Sequence, residues 1–181
     1  LRGLPDYYVD KANKQGVFNG RVLVVKSTSS AGVDAFSEQN GLYTVCIKGL
    51  VNGKEKVEYA VNNAISRVLS AAQDWSEILE AAKNPELQVV LSNTTEVGIV
   101  LSNDKITDAP PASFPGKLLA FLYKRFQHFQ GDVAKGLVVL PTELISDNAQ
   151  KLKKIVLNLA SQNELEDAFV DWLEEANDFC N

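Results

Sequence analysis

The sequence predicts a doubly wound α/β fold built on a mostly parallel β-sheet. Short apolar runs rich in β-branched residues alternate with segments of helical periodicity, an order typical of βαβ units with helices on both faces of the sheet. The composition, 45% hydrophobic and 23% charged over 181 residues, is sufficient for one sizeable core. We therefore expect residues 1–181 to belong to one domain of this class.

The N-terminal part of the chain predicts a helix, a strand and a hairpin. A helix-like stretch covers residues 6–14, and the apolar run at 21–25 follows it as a buried strand. Between residues 42 and 62, apolar and polar residues alternate on both sides of Asn52-Gly53. Because Asn-Gly supplies the positive φ values that a tight turn needs, this pattern predicts an inserted antiparallel β-hairpin.

Two further buried strands are predicted at 87–91 and 136–140. A fourth apolar run, at 97–101, follows the run at 87–91 too closely for a helix to intervene. We interpret it as a local extension or a short strand after a loop.

Three helices follow from apolar spacings of three and four residues. The first begins at Phe114 with Ser113 placed to cap it, and the second begins at Asn148. The third begins at Glu164, where Ser161 and Glu164 have the spacing of a capping box. Their apolar positions are Leu118, Phe121, Leu122, Phe126 and Phe129; Leu152, Ile155, Val156 and Leu159; and Leu165, Ala168, Phe169, Trp172, Leu173, Ala176 and Phe179.

Charge and hydropathy exclude several classes of function. The net charge of −5 provides no basic face, so we expect no nucleic-acid partner. The apolar runs are far shorter than the roughly 20 residues that span a bilayer, and no secretory signal is visible, so we expect no membrane partner and a cytoplasmic location. Cys46 and Cys180 are the only cysteines and His128 is the only histidine, which argues against a metal site. His128 fits a half-exposed helix position, with a catalytic role as the alternative.

Polar residues follow the predicted strands, at the edge where doubly wound sheets bind ligands. They are Ser27-Thr28-Ser29, Ser92 to Glu96, and Pro141 to Asn148. The loop at 92–96 offers amide, hydroxyl and carboxylate groups for ribose, phosphate or a carboxamide, or alternatively Ser and Thr that cap the next element. Glu143 and Asn148 would meet a substrate in the crevice, unless Asp147 or Asn148 simply caps the following helix.

No G-x-G-x-x-G phosphate loop occurs in the chain, which by itself gives little support to dinucleotide binding. However, a helix-like stretch precedes the first apolar run, and the chain contains no methionine, even at position 1. We therefore expect a strand and its glycine turn upstream of Leu1, unless modified methionines were left out of the sequence.

Several strings together closely resemble the long-chain mannitol dehydrogenase family, in particular its tagaturonate reductase (altronate oxidoreductase) branch. They are Leu1-Arg-Gly before a helix, Gly41-Leu-Tyr-Thr-Val, Ile65-Ser-Arg-Val-Leu-Ser, Ser92-Asn-Thr-Thr-Glu-Val-Gly-Ile, Ser113-Phe-Pro-Gly-Lys-Leu and Leu140-Pro-Thr-Glu-Leu-Ile. The resemblance implies a Rossmann-like domain of an NAD-dependent enzyme that interconverts D-tagaturonate and D-altronate. The substrate would be a small sugar acid, and the partner a C-terminal helical domain of the same protein that carries a Lys-x5-Asn-x2-His motif, absent from this chain.

The resemblance also implies roles for individual residues. Arg2 would lie near the cofactor pyrophosphate, and Asn93 to Glu96 (Asn93, Thr94, Thr95 and Glu96) beside the nicotinamide and ribose. Asn148 would stabilise an oxyanion at the substrate, although Ala149 replaces the glycine that usually follows in the family.

The remaining assignments concern cofactor preference and the substrate carboxylate. Lys26 and Ser27 stand where an acid for the ribose 2′-hydroxyl is common, so NAD is expected from the resemblance with NADP open, and Asp34 is the first acid downstream. Lys117 is a candidate for the substrate carboxylate, against the interpretation of a solvated lysine at a helix start.

Other functions fit the same sequence. Fructuronate reductase, mannitol dehydrogenase and mannitol-phosphate dehydrogenase share the architecture that the resemblance implies. A non-enzymatic nucleotide-binding module and a methyltransferase are the alternatives outside the family.

Overall fold

A computed structural model of the chain describes residues 3–27, 38–95 and 97–180. The chain divides into two units, Leu1–Ala71 and Ala72–Asn181. The described elements of the first unit are α1 (Gly3–Lys14), β1 (Val22–Lys26), β2 (Tyr43–Val51), β3 (Lys54–Asn62) and β4 (Ile65–Ser70). Those of the second are α2 (Trp75–Ala81), β5 (Val89–Ser92), α3 (Phe114–Phe129), a 3-10 turn (Val133–Lys135), β6 (Val138–Pro141), α4 (Asn148–Gln162), α5 (Asp167–Glu175) and β7 (Asp178–Phe179).

The first unit contains a parallel strand pair and the predicted hairpin. β1 pairs with β4 in parallel, with Val24 opposite Val68. β2 and β3 pair antiparallel around Asn52 and Gly53, whose φ values are 52° and 74°. The prediction of a hairpin with a positive-φ turn is therefore confirmed.

Buried carboxylates connect α1 to the hairpin. Asp10 accepts a hydrogen bond from the Asn63 backbone N–H at 3.1 Å and pairs with Lys14 at 2.6 Å. Asp6 accepts from the Tyr43 hydroxyl at 3.0 Å. These bonds satisfy carboxylates that would otherwise be costly to bury, so α1 is held against the strands by specific polar contacts.

The second unit contains a parallel sheet with strand order β5-β6-β7. Helices α3, α4 and α5 form its core with β6, and the core includes Leu122, Val139, Leu152, Phe169 and Trp172. Ser113 caps α3 by accepting from the Gly116 N–H at 3.0 Å, as the sequence predicts. Strands, helices and parallel pairing together confirm the predicted α/β class.

Three sequence expectations about this unit were wrong. The run at 97–101 forms no strand: Gly98 N–H bonds back to the Thr95 carbonyl at 2.7 Å, and only Ile99 is buried. The Ser161–Glu164 capping box is absent because α4 continues to Gln162 and Glu164 has φ of 52° beyond its end. The strand at 87–91 is not buried on both faces, since Val89 and Leu91 of β5 are exposed.

None of the helices in the described parts of the chain is long and apolar enough to span a membrane. The expected upstream strand and glycine turn stay a prediction.

Candidate functional site

The carboxyl ends of β5 and β6 lie side by side. The two strands are parallel neighbours, and Ser92 at the end of β5 is in register with Pro141 at the end of β6. The polar residues that follow each strand therefore emerge at the same edge of the sheet, which is where open α/β sheets bind ligands. We call residues 93–98 the β5 loop, with residue 96 outside the described part, and residues 142–147 the β6 loop.

Hydrogen bonds extend the pairing of the two strands into the loops. The Thr142 backbone N–H and hydroxyl both donate to the Ser92 carbonyl, at 2.9 and 2.7 Å. The Asn93 side-chain amide donates to the Thr142 carbonyl and hydroxyl oxygens, both at 3.2 Å. The first residues of both loops are thus held together rather than free to move apart.

Glu143 connects the β6 loop to the β5 loop through its carboxylate. One oxygen, Oε1, accepts from the Thr94 backbone N–H at 2.8 Å and from the Thr94 hydroxyl at 3.0 Å. The other oxygen, Oε2, accepts from the Ser92 hydroxyl at 3.3 Å. Glu143 is only 5% exposed, so its carboxylate faces the protein. The predicted contact between Glu143 and substrate stays a prediction, and these bonds give it no support.

Asn148 lies at the start of α4 with its side chain directed back toward the strand end. Its Nδ2 donates to the Pro141 carbonyl at 2.7 Å and to the Glu143 carbonyl at 3.0 Å. Neither Asp147 nor Asn148 caps α4 through a side chain, so the capping interpretation was wrong. Both N–H groups of the Asn148 amide are used in closing the β6 loop, and its predicted oxyanion role stays a prediction.

Gly98 sets the shape of the β5 loop by allowing a close approach. A Cβ at this position would lie 2.3 Å from the Thr94 hydroxyl oxygen and 2.6 Å from the Thr94 Cβ. Both separations are too short, so a larger residue would displace Thr94. From the sequence we predicted no role for Gly98. A glycine so soon after the polar residues 92–96 was the signal that could have indicated a close approach of the backbone.

The groups left at the surface of the site suit a nucleotide. Asn93 and Thr95 are exposed and Thr94 is half-buried, so amide and hydroxyl groups are presented at the strand ends. Such neutral donors and acceptors fit ribose hydroxyls and a carboxamide. Ser27 is exposed directly after β1, in the other unit. Of the predicted cofactor-binding residues, Arg2 and Glu96 lie outside the described residues, as does Asp34.

Lys117 belongs to a different cluster, at the N-terminus of α3. It is 9% exposed, and its ammonium donates to the Ala112 carbonyl at 2.7 Å. Burial lowers the pKa of Lys117, and the charge of Asp104 opposes this shift. The interpretation of a solvated lysine was therefore wrong, while the predicted contact with a substrate carboxylate stays a prediction.

Asp104 accepts hydrogen bonds from the Ser113 backbone N–H, at 2.8 Å, and from the Ser113 hydroxyl. Burial by itself raises the pKa of Asp104, but hydrogen bonds from Ser113, Ser102 and Ala112 outweigh it and leave that pKa below its ordinary value. The carboxylate thus stays ionised beside the positive end of the α3 dipole.

His128 is exposed on the last turn of α3, with its ring 4.7 Å from that of Phe129. This placement agrees with the predicted amphipathic helix. Among the described residues, no group of three or more His, Cys, Asp or Glu side chains is arranged to hold a metal ion.

Comparison with known proteins identifies the family. Residues 2–181 match the Mannitol dehydrogenase Rossmann domain. The chain is 43% identical over its full length to altronate oxidoreductase of Bacillus subtilis (strain 168), and 39% identical to altronate oxidoreductase of Escherichia coli O1:K1. It spans 38% of the length of each of these relatives.

Solved structures support the same fold. Mannitol 2-dehydrogenase of Pseudomonas fluorescens, in a ternary complex with NAD and D-mannitol, has a TM-score of 0.76 at 19% identity, covering 97% of this chain and 37% of that one. A substrate-free D-sorbitol dehydrogenase has a TM-score of 0.66 at 21% identity, covering 88% of this chain and 35% of that one. Since the family match extends over residues 2–181, the chain belongs to the mannitol dehydrogenase family, in which it corresponds to the Rossmann domain.

Proposed function

We propose that this domain binds NAD in an oxidoreductase that interconverts D-tagaturonate and D-altronate. The observation that carries the proposal is the match of the whole chain, at 43% and 39% identity, to two altronate oxidoreductases. The cofactor is supported by the fold, because a neighbour of the same domain architecture was solved with NAD. Both activity and substrate are inferred for the whole protein, of which this chain corresponds to a part.

The residues at the strand ends would hold the cofactor. Asn93 and Thr95 offer exposed amide and hydroxyl groups at the carboxyl edge of β5, and Thr94 lies between them. Arg2 and Glu96 are proposed for the same cofactor from the family resemblance, and Ser27 for its ribose. When bound, NAD supplies the site that accepts or returns a hydride.

The substrate side of the site is divided between this chain and another domain. We place the lysine that exchanges the substrate proton in the C-terminal helical domain that the resemblance implies. Asn148 is proposed to stabilise the oxyanion at the C2 carbonyl, and Lys117 to attract the substrate carboxylate. For Asn148 this requires one of its two loop bonds, to Pro141 or Glu143, to be exchanged for the substrate oxygen.

The test is oxidation of NADH by the full-length protein expressed from its complete gene. D-tagaturonate, D-fructuronate and D-fructose are offered separately, each with NADH and with NADPH. Faster oxidation with tagaturonate and NADH supports the proposal. Preference for fructuronate or fructose assigns the protein to another branch of the family, and preference for NADPH corrects the cofactor.

A protein that binds NADH and oxidises it with none of these substrates would favour a non-enzymatic nucleotide-binding module. D-altronate with NAD provides the reverse reaction as a control. Activity in both directions with this pair excludes an adventitious NADH oxidase.

A further inference from the structure

We propose that Glu143 is a positioning residue, whose buried carboxylate holds the β5 loop in the shape that receives the cofactor without touching cofactor or substrate. This inference rests on the proposed function, because it assigns the β5 loop to cofactor binding. It differs from the sequence-based prediction for Glu143, which was a direct contact with substrate.

The bonds made by Glu143 support a role toward the protein. Both carboxylate oxygens accept from residues 92–94, and the donors are two hydroxyls and one backbone N–H. Only 5% of the Glu143 surface is exposed. A carboxylate with both oxygens engaged and almost no exposed surface is poorly placed to bind a second molecule.

The chemistry of the Glu143 carboxylate also supports a positioning role. An ionised carboxylate is expensive to bury and needs several donors to offset that cost. Within the described residues, the donors to the Glu143 carboxylate are neutral and come only from Ser92 and Thr94. Because the carboxylate only accepts, it fixes the direction of the Thr94 N–H and of the Ser92 hydroxyl proton, and it competes with the Thr95 carbonyl, 3.3 Å away, for the Thr94 hydroxyl proton.

The location of the bonds connects them to ligand binding. Glu143 anchors Thr94, and the residues on either side of Thr94 carry the exposed Asn93 and Thr95 side chains. Gly98 also lies close to Thr94, since a Cβ at position 98 would be 2.3 Å from the Thr94 hydroxyl oxygen. Loss of the anchor would leave Thr94 and Thr95 to be ordered by the cofactor itself, while Asn93 stays bonded to Thr142, and affinity would fall by the cost of that ordering.

The test compares Glu143→Ala and Glu143→Gln in the full-length protein. Glutamine can still accept from Thr94 through Oε1 and can donate to the Ser92 hydroxyl through Nε2, so it preserves the bonds without the charge. The control is Glu166→Ala, which removes an exposed glutamate that accepts from the Tyr123 hydroxyl at 3.0 Å. The Kd of NADH is measured by calorimetry, together with KM and kcat for tagaturonate.

We expect Glu143→Ala to raise the Kd of NADH about tenfold, with the KM of tagaturonate changed less than about threefold. Glu143→Gln should restore the Kd to within about threefold of the unaltered protein, and Glu166→Ala should leave it unchanged. An unchanged Kd in Glu143→Ala would overturn the proposal. So would a rise confined to the KM of tagaturonate, which would make Glu143 a substrate ligand.

The same experiment covers two further cases, a Glu143→Ala variant that does not fold and an unaltered protein that does not bind the cofactor. If Glu143→Ala does not fold, Ser92→Ala removes the donor to Glu143 Oε2 and keeps the carboxylate, and Ser92 is a buried residue with no assigned contact to the cofactor. A Kd raised about threefold in this variant supports the proposal, and an unchanged Kd overturns it. If the unaltered protein binds neither NADH nor NADPH, the proposed function itself fails. Binding by the unaltered protein with no effect at position 143 removes only the positioning role.

Discussion

Arg125 provides the sharpest prediction about stability. Its guanidinium, on α3, is 1% exposed and donates to four backbone carbonyls, those of Ala82, Asn84, Leu87 and Lys135. These carbonyls belong to the segment from the end of α2 to the entry of β5 and to the turn before β6. Arg125 therefore connects three parts of the second unit that are distant in sequence.

The magnitude follows from the state of each carbonyl after the change Arg125→Met. The bond to Ala82 is buried, so its carbonyl would lose a partner at a cost of about 1–3 kcal/mol. The other three bonds are partly buried, so water can replace the guanidinium at those carbonyls. The loss of each of these bonds is expected to cost about 0.5–1 kcal/mol of stability. Burial lowers the pKa of Arg125, and relief of this cost offsets part of the loss. The net expectation is a destabilisation of roughly 3–4 kcal/mol.

The assay is thermal and guanidinium unfolding of the full-length protein, followed by tryptophan fluorescence. For a domain of this size the expected loss corresponds to a Tm lower by roughly 10 °C. Arg21→Met is the matched control, because Arg21 is exposed directly before β1, and it should change stability by less than about 0.5 kcal/mol. If Arg125→Met is within about 1 kcal/mol of the unaltered protein, the four bonds do not stabilise the unit as argued.

Three other predictions concern acid stability, the β5 loop and the oxyanion. The pKa of Asp104 is lower in the folded protein than in the unfolded chain. Its contribution to the free energy of unfolding is therefore fully present above the unfolded pKa and is lost as pH falls through the folded pKa. Asp104→Asn should therefore flatten the acid limb of a Tm-against-pH profile, and an unchanged limb would contradict this. Gly98→Ala should raise the Kd of NADH several-fold by displacing Thr94, whereas Gly49→Ala, where a Cβ meets nothing within 4 Å, should not. Asn148→Ala should lower kcat by about 100-fold, and because it also removes a bond to the Glu143 carbonyl, the Kd of NADH should rise, but less than in Glu143→Ala. A fall in Tm with kcat unchanged would restrict Asn148 to closing the β6 loop.

Local signals were sufficient where the structure depends on neighbours in sequence. Asn52-Gly53 takes the positive φ values that its turn requires, and Ser113 caps α3 through a bond three residues away. The Ser161–Glu164 pair has an equally good local pattern, but the capping box that it predicts does not form. A distant contact is present at this point: Asn163, at the C-terminal end of α4, donates to the Asp104 carbonyl and accepts from the Ile106 N–H.

Exposure was harder to predict than secondary structure. Lys117 has the spacing of a solvated residue at the start of a helix, yet it is buried beside the Ala112 carbonyl. The run at 97–101 has the composition of a strand but forms a turn closed by Gly98. The burial of Lys117 depends on the packing of the segment that carries Asp104 against the start of α3, and the local pattern contains no information on that packing.

The sequence by itself determined the α/β class, the hairpin, the polar character of the two loops and the resemblance to the mannitol dehydrogenase family. Only the tertiary structure decided what Glu143 and Asn148 do with their polar groups. Parallel pairing places Ser92 opposite Pro141, and this register brings the Glu143 carboxylate within hydrogen-bond distance of Thr94, 49 residues earlier in the chain. Whether a carboxylate faces a ligand or its own protein is set by such long-range register, because the donors that satisfy it come from another strand.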